Sequence, residues 1–303
     1  MSATNDNEAI GFPELEIFLE FARTQHLGRA AEALGRSVSS VQRGVRALEI
    51  RLGVPLVERD GRRVRLLHAG RVLADQAARV VRARSEAVDA VRAASGSRST
   101  VRLGHMFSLG PTLVPQIAAT VIARDPSARL VLRHGATNAL VTALLAGELD
   151  AVLVSPLPIA ADLASVPVFT EGVLLAIAAS DPLASRESVA LAEVQHRPFV
   201  ALAEGSGSRY DMMQACARAG FIPAVAIEVG DMYTLEGIVG AGLGVSVVPE
   251  SMRSHATPGI ARIALREPIP TRRQIGLVYV RGTERRRPFT AVIEAVRGIP
   301  THG

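Results

Sequence analysis

The sequence predicts an α/β chain in two unlike parts: an α-rich amino-terminal winged helix-turn-helix and a carboxy-terminal bilobal α/β domain. Three observations predict it. Residues 15–70 pack two short helix patterns, a tight turn and an arginine-rich hairpin into one basic unit; residues 71–95 contain neither proline nor glycine; and from Val101 onward strand and helix patterns alternate. The expected layout is a head over 1–70, a linker helix over 71–98 and an α/β domain over 99–303. One lobe of that domain is expected from 99–161 with 268–303, the other from 162–267.

The first helix reads Leu15, Ile17, Phe18, Leu19, Phe21, Ala22, an apolar stripe at helical rather than strand period, and ends near Thr24. Gly28–Gly35 is a short alanine-rich helix closed by glycine, and Ser37 or Ser39 can cap the next helix through its hydroxyl. That helix, about Ser39 to Leu52, is expected to bury Val41, Val45, Leu48 and Leu52, leaving Ser40, Gln42, Arg43 and Arg46 pointing outward. A second helix across a tight turn with polar outward residues fits a major groove.

Outward arginines alone also suit a solvated surface helix; the continuation decides. Gly53-Val54-Pro55 breaks the helix, and Asp60-Gly61 is a tight-turn dipeptide between two strand-like pieces. Arg62, Arg63 and Arg65 then sit on a hairpin beside the reading helix, placed for phosphates or a minor groove. In the linker, Leu73, Ala77, Val80, Ala87, Val91 and Ala94 form a heptad-like stripe that only Arg84 interrupts. At 1.5 Å per residue it spans about 36 Å, and an apolar stripe of that length calls for a second helix to cover it.

Beyond the small, polar Ser95–Ser99, the expected strands are Val101–His105, Ala128–His134, Ala151–Val154, Gly172–Ala178, Phe199–Ala201, Ala224–Val229, Val245–Val248 and Gln274–Val280. Helices are expected over Pro111–Arg124, Asn138–Gly147, Arg209–Ala219, Thr234–Ala241 and Pro288–Val296. This order implies parallel sheets with crossover helices. Two successive lobes, with a last strand and helix left to return to the first, describe a bilobal, periplasmic-binding-protein-like α/β layout with a ligand in the cleft. The lobes are expected to meet near Ser155-Pro156 and Glu267-Pro268.

Composition sets bounds. The chain has 303 residues, 48% of them hydrophobic, enough for more than one core. It carries a net charge of +5, and all 34 of its basic Lys+Arg positions are arginine. Arginine pairs bidentately with phosphates and guanine edges, although such usage also follows from a GC-rich genome. Met1–Gly11 lacks an apolar run of signal-peptide length and no later run reaches a membrane span, so a cytoplasmic protein is expected. The single cysteine, Cys216, cannot form an intramolecular disulfide and reads as helix packing.

The head resembles the LysR-type transcriptional regulators. The resemblance runs through Ala30-Ala31-Glu32-Ala33-Leu34, Arg43, Leu48-Glu49, Leu52–Arg59 and Ala69-Gly70. It departs at Val38-Ser39, Gln42 and Leu67; the first two fall where the family contacts bases, so they bear on the operator sequence and not on the fold. The second part resembles the same family's effector domain in Gly147-Glu148-Leu149-Asp150 and in Val239–Val245 leading to Val248-Pro249. The resemblance implies a homodimer or homotetramer whose linker helices pair, an imperfect inverted repeat of double-stranded DNA as target, and a small-molecule effector. RNA polymerase is a further candidate partner. Ser39, Ser40, Gln42, Arg43 and Arg46 are the groove candidates, with Arg62, Arg63 and Arg65 on the backbone.

Ligands of open α/β folds sit outside the carboxyl ends of strands, where helix N-termini offer N–H groups to anions. Three stretches qualify: Met106–Gly110 with Ser108, Gly135–Asn138 with Thr137 and Asn138, and Gly205–Arg209 with Ser206 and Arg209. Ser108, Thr137 and Asn138 match cleft positions of the family, and hydroxyls, glycines and an arginine suit a small carboxylate. Tyr233 and Thr234 are placed to close the pocket, although Thr234 also suits a helix cap. An enzyme and a solute receptor are the alternatives. His105, His134 and His196 lack metal-ligand spacing, no serine lies in a nucleophile elbow, and the Gly240–Gly244 glycines sit between a helix and a strand, the reverse of a dinucleotide turn. No cofactor or metal is expected.

Overall fold

The computed structural model describes residues 10–60, 63–94, 100–253, 255–268, 270–284 and 289–299. The chain divides into two compact units near residue 97. The first contains α1 (Phe12–Thr24), α2 (Leu27–Ala33), α3 (Val38–Leu52), the antiparallel pair β1 (Val57–Asp60) and β2 (Arg63–Leu66), and α4 (His68–Ala94).

Local chemistry sets these boundaries. Glu14 accepts the Gly11 N–H at 2.9 Å at the head of α1, and Gln25, in the left-handed region at φ 44°, ends it. His26 then caps α2, its Nδ1 accepting the N–H groups of Gly28 (3.1 Å) and Arg29 (3.2 Å). Ser37, rather than Ser39, caps α3 by accepting the Ser40 N–H at 3.2 Å. Phe18, Phe21, Val41, Leu48 and Leu56 are fully buried between the three helices and the hairpin, each such side chain stabilising by about 1.5–3 kcal/mol.

Leu52 departs from expectation: it is 39% exposed. Gly53 at φ 66° turns the chain away one residue later, so the last turn of α3 projects past the core that Leu48 fills. Arg84, the residue that interrupts the linker stripe, donates to Glu16 at 3.0 Å and stands 4.9 Å over the Phe12 ring, which ties α4 to α1.

The second unit holds β3 (Thr100–His105), α5 (Leu113–Arg124), β4 (Arg129–His134), α6 (Thr137–Leu145), β5 (Ala151–Val154), β6 (Leu163–Glu171) and β7 (Val173–Ala178). It continues with β8 (Ser188–Val189), β9 (Pro198–Leu202), α7 (Gly207–Arg218), β10 (Ala224–Val229), α8 (Met232–Gly240), β11 (Ser246–Pro249), β12 (Ile260–Leu265), β13 (Arg273–Val280) and α9 (Phe289–Arg297). The first lobe is a five-stranded sheet ordered β4-β3-β5-β13-β6 with α5 and α9 on its main core; the second is a four-stranded sheet ordered β11-β7-β12-β8, with the parallel pair β9–β10 joined by a Phe199–Val245 bridge.

The expectation of parallel sheets holds for β3, β4 and β5 and for β9–β10, but β13 runs antiparallel to both β5 and β6, and β7 antiparallel to β11 and β12. The reason is the crossing itself: β6 carries the chain out of the first lobe and β13 brings it back, so the two must run opposite ways. The strands β6, β8 and β12 are not among those expected. Pro167 hides β6, because proline cannot donate to a ladder; β6 is the sheet's edge strand, where proline is tolerated, and its register against β13 shifts between Ile275 and Gly276. Membership of β6 in the first sheet also corrects the first lobe boundary, moving the crossing from 161/162 to Gly172. No helix among the described residues is long and apolar enough to cross a membrane.

Candidate functional site

In the head, α3 presents Ser39, Gln42, Arg43 and Arg46 on its exposed face, with Val41, Val45 and Leu48 buried behind them. Ser40 is half-buried, its N–H given to Ser37, so it stands at the edge of that face. Among the described residues Arg43 and Arg46 enter no ion pair with the protein, so both guanidinium groups are available to a partner. The helix is fixed at both ends. Arg51 donates to Glu14 on α1 at 2.6 Å, and Glu49 accepts the N–H groups of Leu56 (2.9 Å) and Val57 (3.2 Å), which anchors the root of the hairpin to α3. Arg65 is exposed on β2, Arg63 opens that strand, and Arg62 lies outside the described residues.

The second unit encloses a cavity of about 90 Å³ between its lobes. First-lobe residues on its wall include Phe107, Ser108, His134 and Thr137; the second lobe supplies Ser206, Gly207, Ser208 and Asp231. Ser108 lies in a short 3-10 turn, Phe107–Leu109, just after β3, and Thr137 begins α6. Ser206 is the N-cap residue of α7 but makes no side-chain cap hydrogen bond, so that helix start keeps free donors beside the cavity. At Gly207 the lobes approach closely: a Cβ there would stand 2.1 Å from the Ser155 carbonyl oxygen and 2.9 Å from Thr137 Oγ1.

Four expected residues are placed differently. Arg209 does not reach the cavity; its Nη1 donates to the Leu202 carbonyl at 2.8 Å and pairs with Glu228, because β10 sets that carboxylate within reach of the first turn of α7. Asn138 is turned to Gly205, to whose carbonyl it donates its N–H at 3.3 Å, and is absent from the cavity wall. Tyr233 lies outside the wall but stacks edge-on against Phe107, ring centroids 4.5 Å apart, closing one lobe on the other. Thr234 is taken up in capping α8: it gives its N–H (2.9 Å) and its hydroxyl (2.8 Å) to Asp231. Those bonds hold the Asp231 carboxyl below the usual carboxylate range.

Sequence reasoning missed the charged group behind the cavity. Arg273, at the start of β13, is 98% buried; its Nε donates to Glu171 at 2.8 Å, its Nη1 to Asp211 at 3.4 Å and its Nη2 to Ser108 Oγ at 2.8 Å. The ends of both crossing strands, α7 of the second lobe and the Ser108 turn of the first are thereby joined on one guanidinium. Burial pushes the Asp211 carboxyl up to about 6 against the opposing pull of Arg273, whose closer partner is Glu171. Nothing local marks these residues, since charged side chains in isolation read as surface. Burial also lowers the pKa of His105, and among the described residues no cluster of His, Cys, Asp and Glu could hold a metal.

Comparison with known proteins places both units. Residues 12–71 match the model of the bacterial regulatory helix-turn-helix protein, lysR family, and residues 94–299 that of the LysR substrate binding domain. A probable hydrogen peroxide-inducible genes activator of Mycobacterium avium is 34% identical over 88% of this chain and 86% of its own. The malonate utilization transcriptional regulator of Klebsiella pneumoniae is 30% identical over 92% of each. Among solved structures, a full-length OxyR variant from Pseudomonas aeruginosa matches with a TM-score of 0.63 and 26% identity, covering 96% of each chain. A head that presents a capped, exposed arginine helix and a two-lobed domain around a cleft are thus two parts of one transcriptional regulator, and the chain belongs to the LysR family.

Proposed function

We propose that this regulator reads an imperfect inverted repeat with α3 of two subunits and is switched by a small organic anion held between its lobes. The observation that carries the reading is the pair of unpaired guanidinium groups of Arg43 and Arg46 on α3, beside a β1–β2 hairpin bearing further arginines. In this reading Gln42, Arg43 and Arg46, with Ser39 and Ser40 at the helix start, face base edges and nearby phosphates, while Arg62, Arg63 and Arg65 face the backbone or the minor groove. The head spans 1–70, α4 is the dimer helix and the remainder binds the effector. RNA polymerase is the partner through which an operator-bound oligomer would act.

The anion assignment rests on the uncapped start of α7, on Ser108 and on the N-terminus of α6 around one cavity. The Klebsiella relative is named for the utilization of malonate, itself a small carboxylate. A thiol-based peroxide response, which the names of several relatives bring to mind, finds no support in Cys216. That thiol is fully buried and pushed up to about 12, whereas redox-sensing cysteines are acidic and accessible.

The test is footprinting of the purified protein on the DNA upstream of its own gene, at two salt concentrations and beside random DNA, with and without a carboxylate panel. A protected inverted repeat whose occupancy or length responds to one carboxylate is the expected result. Salt-sensitive binding without a protected site would remove the operator reading.

A further inference from the structure

The first turn of α3 carries an apolar side chain that the head leaves uncovered. Val38 is the first residue of the helix, directly after the Ser37 cap, and it is 47% exposed. Ser37 accepts the Ser40 N–H at 3.2 Å, and the Ser37 and Ser39 hydroxyls share a hydrogen bond at 3.1 Å, so the hydroxyls of this turn serve the cap. The Val38 side chain belongs to no core cluster of the head, and alanine would be the better helix former at its position. Neither packing nor helix propensity accounts for a valine there.

Spacing groups Val38 with the polar side chains of the exposed face. Val38, Gln42 and Arg46 follow at intervals of four residues and share one line along the helix, while Val41, Val45 and Leu48 turn inward. A helix that reads a major groove meets base edges with its N-terminal residues, and helical Cβ atoms tilt toward that end, so Val38 leads the line. The groove presents one apolar feature, the C5-methyl group of thymine, and an apolar side chain is its complement. Cytosine in the same place would turn an N4 donor to a side chain that cannot accept it. Gln42, with its Cβ about 5–6 Å away, suits N6 and N7 of an adenine at or beside the same base pair. Ile50, at the far end of the line, is 73% exposed. It lies about 18 Å from Val38 along the axis and borders the hairpin root with Val54 and Pro55, away from the leading turn.

We propose that Val38 reads the C5-methyl group of one thymine in each half-site and so sets part of the operator sequence. This rests on α3 being the helix that enters the major groove.

The experiment selects sites from random-sequence duplexes with the full chain and then replaces each thymine of the selected half-sites by deoxyuridine, which keeps the base pair and removes only the methyl group. Affinity is read by fluorescence anisotropy. Deoxyuridine at one position, repeated in both half-sites, is expected to weaken binding about fourfold per half-site, the contribution of one buried methyl-sized group. In Val38→Ala, which retracts the apolar surface by two methyl groups, the same replacement is expected to change affinity by no more than about twofold; in Ile50→Ala it keeps its full effect. An unchanged melting temperature checks that both variants fold. A penalty that persists in Val38→Ala, or no thymine whose replacement matters, overturns the role of Val38, and α3 remains the reading helix provided that Gln42→Ala or Arg43→Ala weakens the selected site more than random DNA. If neither does so, or if no sequence is selected, the assignment of α3 fails and the inference fails with it.

Discussion

Arg43 and Arg46 are the residues on which recognition turns, because their guanidinium groups are solvated in the free protein and give up no internal partner on binding. A bidentate base contact contributes about 1–3 kcal/mol, so Arg43→Ala is expected to weaken the specific site by that amount and random DNA by much less, as measured by fluorescence anisotropy. Equal losses on both DNAs would make Arg43 a phosphate contact. At the other site, Asp211 makes a prediction about pH. Its folded-state pKa of about 6 lies above the ordinary carboxylate value near 3.8, so between those values the folded chain holds a proton that the unfolded chain has lost. The contribution to stability is therefore complete below about pH 4 and declines as pH rises toward 6, by on the order of 2–3 kcal/mol. Thermal melts of Asp211→Asn should lack that decline while keeping the hydrogen bond to Arg273; a slope unchanged in the variant would assign it to another group.

At the scale of elements, the reading helix depends on a cap and on one close approach. Ser37→Ala removes the acceptor for the Ser40 N–H and is expected to cost about 0.5–2 kcal/mol of head stability, read by chemical denaturation. Gly70, in the first turn of α4, tests the opposite intuition. Glycine to alanine within a helix ordinarily stabilises by roughly 0.5–1 kcal/mol. Here the added Cβ would stand 2.2 Å from the Leu56 carbonyl oxygen, a backbone atom that cannot rotate away. Gly70→Ala should therefore lower the melting temperature, and a gain would show that α4 shifts freely against the hairpin root. The linker helix divides by burial. Leu73 and Ala74 pack onto the head's own core, whereas Val80, Val88 and Val91 are exposed, Val91 to 70%. A second α4 is the cover this exposed half calls for. Val91→Asp is expected to weaken self-association in sedimentation equilibrium without loss of helix by circular dichroism.

Across the whole molecule, the residue-level features belong to two different tasks. The first unit is held by local helix packing and offers solvated arginines; the second encloses its polar groups in a cavity with Arg273, Glu171, Asp211 and Ser108 behind it. A ligand acts on the equilibrium between arrangements only through contacts that differ between them. Ser108 touches both the cavity and Arg273, which also holds α7, so Ser108→Ala is expected to weaken the effector response while leaving operator affinity without effector unchanged within about twofold, a difference near 0.4 kcal/mol. Loss of both together in a footprinting titration would mean misfolding.

The sequence by itself determined the elements whose signals are local. Stripes at helical period, a serine before α3, Gly53 after it and an aspartate-glycine turn specify the head without reference to anything distant, and β5, β7 and β13 stand out as apolar runs. Tertiary structure alone decided the rest, because those outcomes depend on partners far along the chain. Pro167 disqualifies β6 as an isolated segment and becomes acceptable only once β6 is an edge strand beside β13. Arg209 reads as a ligand residue at a helix start until Glu228, 19 residues on, claims it. Arg273 and Glu171 read as surface charges and are instead buried, and so is Glu236, which the half-buried Arg262, His255 and Thr257 hold. The physical reason is common to all three: hydrophobic periodicity is written in neighbouring residues, whereas a strand's place in its sheet and the partner that claims a charge are fixed only when the fold brings distant segments together.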